Sequence, residues 1–342
     1  MEITYDFVDH GQGLEPQPGV LVVDVGMRTV PGVIDHHHPD AEPECAASLV
    51  VKHPGLVLDH LRPDGAPPPE RCHIITHRYP DFDAAAAAFL AERLLATGRV
   101  DGAMQDLAAY ARSVDSASLP TTIDLPSTPY SILRALFARL KGEDETALGR
   151  ARLEEGRKFM AFVHARRAEG YEILANRSLF RGVDRFERAM TKAEEDYFSY
   201  LEDLGRGRKL RLTLPLSSGP GRAEVDGLAV RNPRSFLLKE WARRDRDSAP
   251  LGRGFSFVLT DLGGRRFILG VDPAAGINLK GLGAMLNERE AEKRRAQGRP
   301  ESSRWYEGNC PLFDHRIIDS PRDGPALTSE DVFEAVLAFG RG

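Results

Sequence analysis

One junction constrains this chain more than any other. The run Cys72-His73-Ile74-Ile75-Thr76 reads as a buried strand. The alanines from Ala84 to Ala88, continued by Phe89, Leu90, Ala91, Leu94 and Leu95, read as a helix. Between them lies His77-Arg-Tyr-Pro-Asp81-Phe-Asp83, so a histidine and two aspartates occupy a turn from strand to helix. In open α/β sheets, ligands bind beyond the carboxyl ends of the strands. The spacing His-x-x-x-Asp-x-Asp lets one turn present three hard or borderline metal ligands on a short arc.

A second stretch has the same character. Val22-Val23-Asp24-Val25-Gly26 is a β-branched run that ends on an aspartate, and Gly32-Val33-Ile34 leads into Asp35-His36-His37-His38. Asp35-His36-His37 at the end of a short apolar strand resembles the signature of the DHH phosphoesterase superfamily. His77-x-x-x-Asp81-x-Asp83 resembles that superfamily's first metal-binding motif, Asp24 its single-aspartate second motif, and Asp115 in Ser113-Val114-Asp115-Ser116 its fourth. The resemblance covers roughly the first 125 residues. Its motifs come in permuted order, because the His-x-x-x-Asp-x-Asp segment follows the Asp-His-His.

The resemblance implies a two-metal phosphoesterase. Asp24 would bridge the ions; His77 and Asp81 would complete one site, and His36, Asp83 and Asp115 the other. Manganese suits this mixture of oxygen and imidazole donors, with magnesium, cobalt or zinc as alternatives. Four aspartates balance two divalent cations, whereas without metal the clustered carboxylates would repel one another. A metal-activated water would then attack phosphorus. His37 would contact the phosphate or help protonate the leaving group, and Asp35 would hold one imidazole in its metal-binding tautomer. Bland readings stand beside these. Asp81 and Asp83 can serve as helix N-caps, Asp115 as a cap or turn residue, and His38 as a pocket wall. Asp9-His10, beside the loop from Gly11 to Gly19, reads as an exposed polar turn rather than as part of the site.

The expected fold class is α/β: a mostly parallel sheet flanked by helices, a helical connector, and a second, smaller α/β domain. Boundaries fall at 1–128 for the metal-binding domain, 129–207 for the connector and 208–342 for a substrate-binding domain. Along the first domain, Ile3 to Val8 reads as an edge strand, Ala46 to Val51 and Met104 to Arg112 as helices, Leu56 to Leu58 as a further strand, and Arg62 to Pro69 as a loop. In the C-terminal part, Leu210 to Leu216, Phe255 to Thr260 and Arg266 to Val271 read as strands, with a hairpin at Asp261 to Gly264. Phe236 to Ala242 and Ala284 to Ala296 read as helices. This half lacks the Gly-Gly-Gly-His run of one DHH class. Its candidate substrate contacts are Lys280, Arg265 and Arg322, since guanidinium and ammonium groups suit phosphate.

Composition narrows the function. The chain has 342 residues, 42% hydrophobic and 28% charged, with a net charge of -5. A mild acidic balance without a basic tail argues against a nucleic-acid coat protein and against a stable nucleic-acid complex. Three scattered cysteines, with no CxxC pair, favour a reducing compartment. With no signal-like N-terminus and no long apolar run, the expectation is cytoplasmic, with no membrane partner. The expected activity is hydrolysis of a small nucleotide phosphodiester: a dinucleotide, a cyclic dinucleotide or a short oligonucleotide. Alternatives are an inorganic pyrophosphatase-like phosphohydrolase, a non-catalytic metal- or nucleotide-binding sensor on the same fold, and a zinc site around His36 to His38 that serves stability. The expected partner is a small phosphorylated substrate, and a homodimer is compatible with the sequence.

Overall fold

The computed structural model describes residues 2–62, 67 and 69–341. The expected loop from Arg62 to Pro69 therefore lies mostly outside the described residues. The chain forms two compact units, one of Met1–Leu119, Ile123–Ala193 and Cys310–Leu312, the other of Pro120–Thr122, Glu194–Asn309 and Phe313–Gly342.

The first unit is built on strands β1 (Glu2–Val8), β2 (Val20–Val23), β3 (Thr29–Val30), β4 (Val33–Ile34) and β5 (Arg71–His77), in the order β1-β5-β2-β4-β3. The pairs β1/β5, β5/β2 and β2/β4 are parallel, and only the short edge strand β3 runs antiparallel. Leu21, Val23, Ile34 and Ile74 are fully buried, as strands covered on both faces require. The register sets the ends. Val8 of β1 faces His77 of β5, Asp24 directly follows β2, and Asp35 directly follows β4. Three neighbouring parallel strands thus deliver their terminal polar residues to one edge of the sheet, whatever their order along the chain.

Around the sheet lie α1 (Ala46–Lys52), α2 (Gly55–Leu61), α3 (Phe82–Thr97), α4 (Gly102–Asp115), α5 (Pro129–Phe137) and α6 (Glu145–Ala168). Helix α3 is central. Ala84 to Ala88 are all buried, because α1, α4 and α6 pack around it. Gly98 ends it in a left-handed conformation, φ 69°, with its N–H on the Leu94 carbonyl. Small residues set how closely α6 approaches. A Cβ on Gly156 would lie 2.6 Å from the Cβ of Ala85, and one on Gly149 would lie 2.6 Å from the Arg78 carbonyl oxygen.

One expected strand is a helix instead. Leu56 to Leu58 fall within α2, where Pro54 occupies the N-cap with φ -58° and Val57 and Leu61, four apart, turn inward. An apolar triplet carries no period of its own, and the i,i+4 partner decides it.

The helical stretch from 129 to 207 divides within α7 (Asp184–Arg206): residues up to 193 belong to the first unit and the rest to the second. The second unit has a sheet in the order β10-β9-β8-β7-β6, formed by β6 (Arg208–Pro215), β7 (Arg222–Arg231), β8 (Phe257–Asp261), β9 (Phe267–Val271) and β10 (Ile317–Asp319). Only β7 and β8 pair in parallel. Helices α9 (Leu282–Ala296) and α10 (Ser329–Phe339) cover one face through Leu282, Leu286, Val332 and Val336. Helix α8 (Leu238–Arg244) and Tyr200 cover the other, against Leu228, Val230 and Val258. The hairpin at Asp261 to Gly264 joins β8 to β9. Strand β7 is not among the expected strands, and Asp226 and Gly227 lie in its middle. The structure buries that aspartate, which accepts a hydrogen bond from the Leu251 N–H at 2.6 Å.

The close seat of α6 on α3 gives a stability prediction. Gly→Ala in an open helical position stabilises by up to about 1 kcal/mol, but at Gly156 the added methyl overpacks against Ala85, at a cost of about 1–3 kcal/mol. Gly156→Ala therefore lowers the urea midpoint. Gly205→Ala, where an added Cβ meets nothing within 4 Å, does not.

Candidate metal centre

The site grows from three strand ends, the start of α3 and the end of α4. Asp24 follows β2 with φ 60°, a left-handed conformation unusual for a residue with a side chain, and is almost fully buried. Held strain of this kind is a pointer to function. Asp35, His36 and His37 follow β4, and His77 ends β5. Asp81 is the N-cap of α3 and accepts the Ala84 N–H at 3.1 Å. Asp83, in the first turn of α3, reaches across to accept the N–H groups of Ala46 and Ala47 at 2.8 and 3.0 Å, capping α1 from another helix. Asp115 is the last residue of α4.

The structure brings all six candidate ligands together. Asp24, His77 and Asp81 form one group whose ligand atoms lie within 4.8 Å of one another; His36, Asp83 and Asp115 form another; a third joins Asp24, Asp35, His36 and His37. His77 Nε2 is 3.1 Å from Asp24 Oδ2, and His36 Nδ1 is 3.6 Å from Asp24 Oδ1 and 3.9 Å from Asp83 Oδ2. His36 Nε2 is 3.1 Å from Asp115 Oδ2. The capping and ligand readings of Asp81 and Asp83 are compatible. A carboxylate offers about four lone-pair sites, and each cap bond uses one.

The electrostatics are those of crowded negative charge. Desolvation, then the Asp83, Asp81 and Asp115 carboxylates, push Asp24 well above the usual carboxylate range. Asp83 rises through burial and then Asp115. Asp81 is the most exposed of the six, but the chain around it is dense. Desolvation followed by Asp115 and Asp83 raises it to about 6. Burial opposes charge on His36, but Asp115, Asp83 and Asp35 outweigh it and lift the imidazole to about 9. Among the described residues, no Lys or Arg pairs with Asp24, Asp81, Asp83 or Asp115. Asp24 Oδ1 is buried and accepts no hydrogen bond. A buried oxygen with an unused acceptor, among four carboxylates without a Lys or Arg partner among the described residues, fits a hard divalent cation.

Asp35 plays a different part. Its oxygens accept the N–H groups of Met27 at 2.6 Å and His37 at 3.1 Å, and Oδ1 lies 2.7 Å from His37 Nδ1. Burial raises its carboxyl, but His37 and the backbone donors prevail and hold it well below the usual range. It orients His37. His38 lies in none of the three groups; its Nε2 is 3.1 Å from the Thr29 hydroxyl. Lys280, Arg265 and Arg322 belong to the second unit and are exposed, on the turn before α9, on the β8/β9 hairpin and after β10 respectively.

Sequence reasoning missed one residue. His10, expected in an exposed turn, stacks on His77 with ring centroids 3.7 Å apart and meets His37 edge-on at 5.8 Å. Only the parallel pairing of β1 with β5 places it there.

Comparison of the chain with protein-family models, curated proteins and solved structures finds no match.

A metal bound here would stabilise the folded chain. At a free concentration one hundred times its Kd, each ion adds about 2.7 kcal/mol, so manganese raises Tm. Asp24→Asn, which tolerates a left-handed backbone, loses that gain. By thinning the negative charge it leaves the metal-free protein no less stable than the native one. Thermal melts with and without manganese check both expectations.

Proposed function

We propose that this chain is a metal-dependent phosphohydrolase of the DHH type that cleaves a small nucleotide phosphodiester: a dinucleotide, a cyclic dinucleotide or a short oligonucleotide. The observation that carries the reading is the pairing of two ligand groups, Asp24-His77-Asp81 and His36-Asp83-Asp115, on one sheet edge. Asp24 faces both, through Oδ2 to His77 and through Oδ1 to His36. That is the arrangement a bridging carboxylate needs. The permuted order of the motifs is no obstacle, because β5, β2 and β4 are neighbours in the sheet.

Two divalent ions held there supply Lewis-acid polarisation of the phosphoryl group and activation of water for in-line attack. The remaining work belongs to the chain's own residues. Asp35 accepts the Nδ1–H of His37, which fixes the orientation of the ring. In hydrolysis the water oxygen bonds to phosphorus, the bond to the leaving oxygen breaks, and that oxygen takes up a proton. His37 would contact the phosphate or this leaving oxygen. The α3 cap at Asp81 and the α1 cap at Asp83 keep both carboxylates aimed at the centre.

The test is turnover of a panel holding a linear dinucleotide, cyclic dinucleotides, pyrophosphate and an aryl phosphodiester, with manganese and with chelator. The expected result is manganese-dependent cleavage of a dinucleotide. Asp81→Asn, which keeps the cap and removes the charge, abolishes it. His37→Ala retains metal but loses roughly 100-fold or more in rate. Pyrophosphate as the preferred substrate would move the assignment to a pyrophosphatase-like enzyme. Tight metal binding with every substrate inert would favour a sensor.

A further inference from the structure

His10 stands outside the three ligand groups, yet it is built into the site. Its ring lies nearly parallel to that of His77, at 29°, and nearly perpendicular to that of His37, at 77°. The segment that carries it is anchored at both ends. On one side Asp9 pairs with Arg78 at 2.9 Å, and the Arg78 N–H donates to the Val8 carbonyl at 3.0 Å. On the other, Gly13 bridges Gly26, and the Leu14 N–H donates to the Gly26 carbonyl at 3.2 Å, two residues beyond Asp24. The Gln12 N–H closes a turn on the Asp9 carbonyl. The two ends of this segment are therefore tied to the two loops that bear His77 and Asp24, and an unrelated surface turn would not need both ties.

Resting on the two-metal reading above, we propose that His10 is a substrate-contacting residue: beside His37, it donates an imidazole N–H to a non-bridging oxygen of the bound phosphoryl group. The chemistry requires no change of protonation, because a neutral imidazole keeps one N–H donor. One face of the ring is taken by His77, which limits its rotation. Hydrogen bonds from fixed donors to phosphate oxygens are charge-assisted and among the stronger ones. The ligand class follows: a tetrahedral phosphoryl oxyanion, with inorganic phosphate as its simplest member.

The experiment uses the full chain and two readouts, manganese affinity by electron paramagnetic resonance and inorganic phosphate affinity of the manganese-loaded protein by calorimetry. His10→Phe keeps an aromatic ring on His77 and removes the donor. His10→Asn and His10→Gln put an amide N–H near the positions of Nδ1 and Nε2. The expected result is that His10→Phe weakens phosphate binding about 10-fold or more, leaves manganese affinity within about 3-fold, and is rescued by at least one amide variant. Native phosphate affinity in His10→Phe overturns the inference. A loss of phosphate matched by an equal loss of manganese also overturns it, since His10 would then act only by supporting His77. If the native protein binds no manganese, the two-metal reading itself fails and takes this inference with it; if it binds manganese and His10→Phe is silent, only the inference falls.

Discussion

Mutual repulsion among Asp24, Asp81, Asp83 and Asp115 is the constraint on which the first unit turns. Four carboxylates on one sheet edge, with imidazoles but no Lys or Arg as partners, are costly in the metal-free chain. The fold tolerates them by tying three to the backbone. Asp81 caps α3, Asp83 caps α1, and Asp24 is fixed by a left-handed backbone and by the Asp24 N–H bond to the Ile34 carbonyl at 2.9 Å. Each cap uses part of a carboxylate's acceptor capacity and leaves the rest directed at a common centre. The same bonds that secure helix starts thus pre-organise the ligands.

Packing in this unit serves that arrangement. The alanine face of α3 and the glycines of α6 bring the helix layer close to the sheet, and Gly149 sits directly against the Arg78 carbonyl within the motif loop. A bulkier residue there would push on the segment between His77 and Asp81. Buried strands supply rigidity from the other side. Val22, Val25 and Val33, near Asp24 and Asp35 along the chain, form a small buried core. Sites carried on strand ends and helix caps hold their geometry better than sites on free loops.

Much of this was legible in the sequence because the signals were local. Strand runs that end on Asp24, Asp35 and His77 were visible as β-branched stretches, and the alanine helix was visible as composition. What escaped depended on pairing. Leu56 to Leu58 became helical through Val57 and Leu61. Strand β7 was not among the expected strands, and the sheet buries Asp226 in its middle. His10 gained its place only because β1 lies alongside β5, a partner 69 residues away in register, with Glu2 opposite Arg71. No window of sequence contains that fact.

The central claim is that this cluster holds two divalent ions side by side. Anomalous diffraction at the manganese edge, from crystals of the manganese-loaded protein, tests it most directly. The account predicts two peaks ~3.5–4 Å apart, one among Asp24, His77 and Asp81 and the other among His36, Asp83 and Asp115, with Asp24 between them. A single peak at His36 to His38 away from Asp81, or none at full loading, would contradict it.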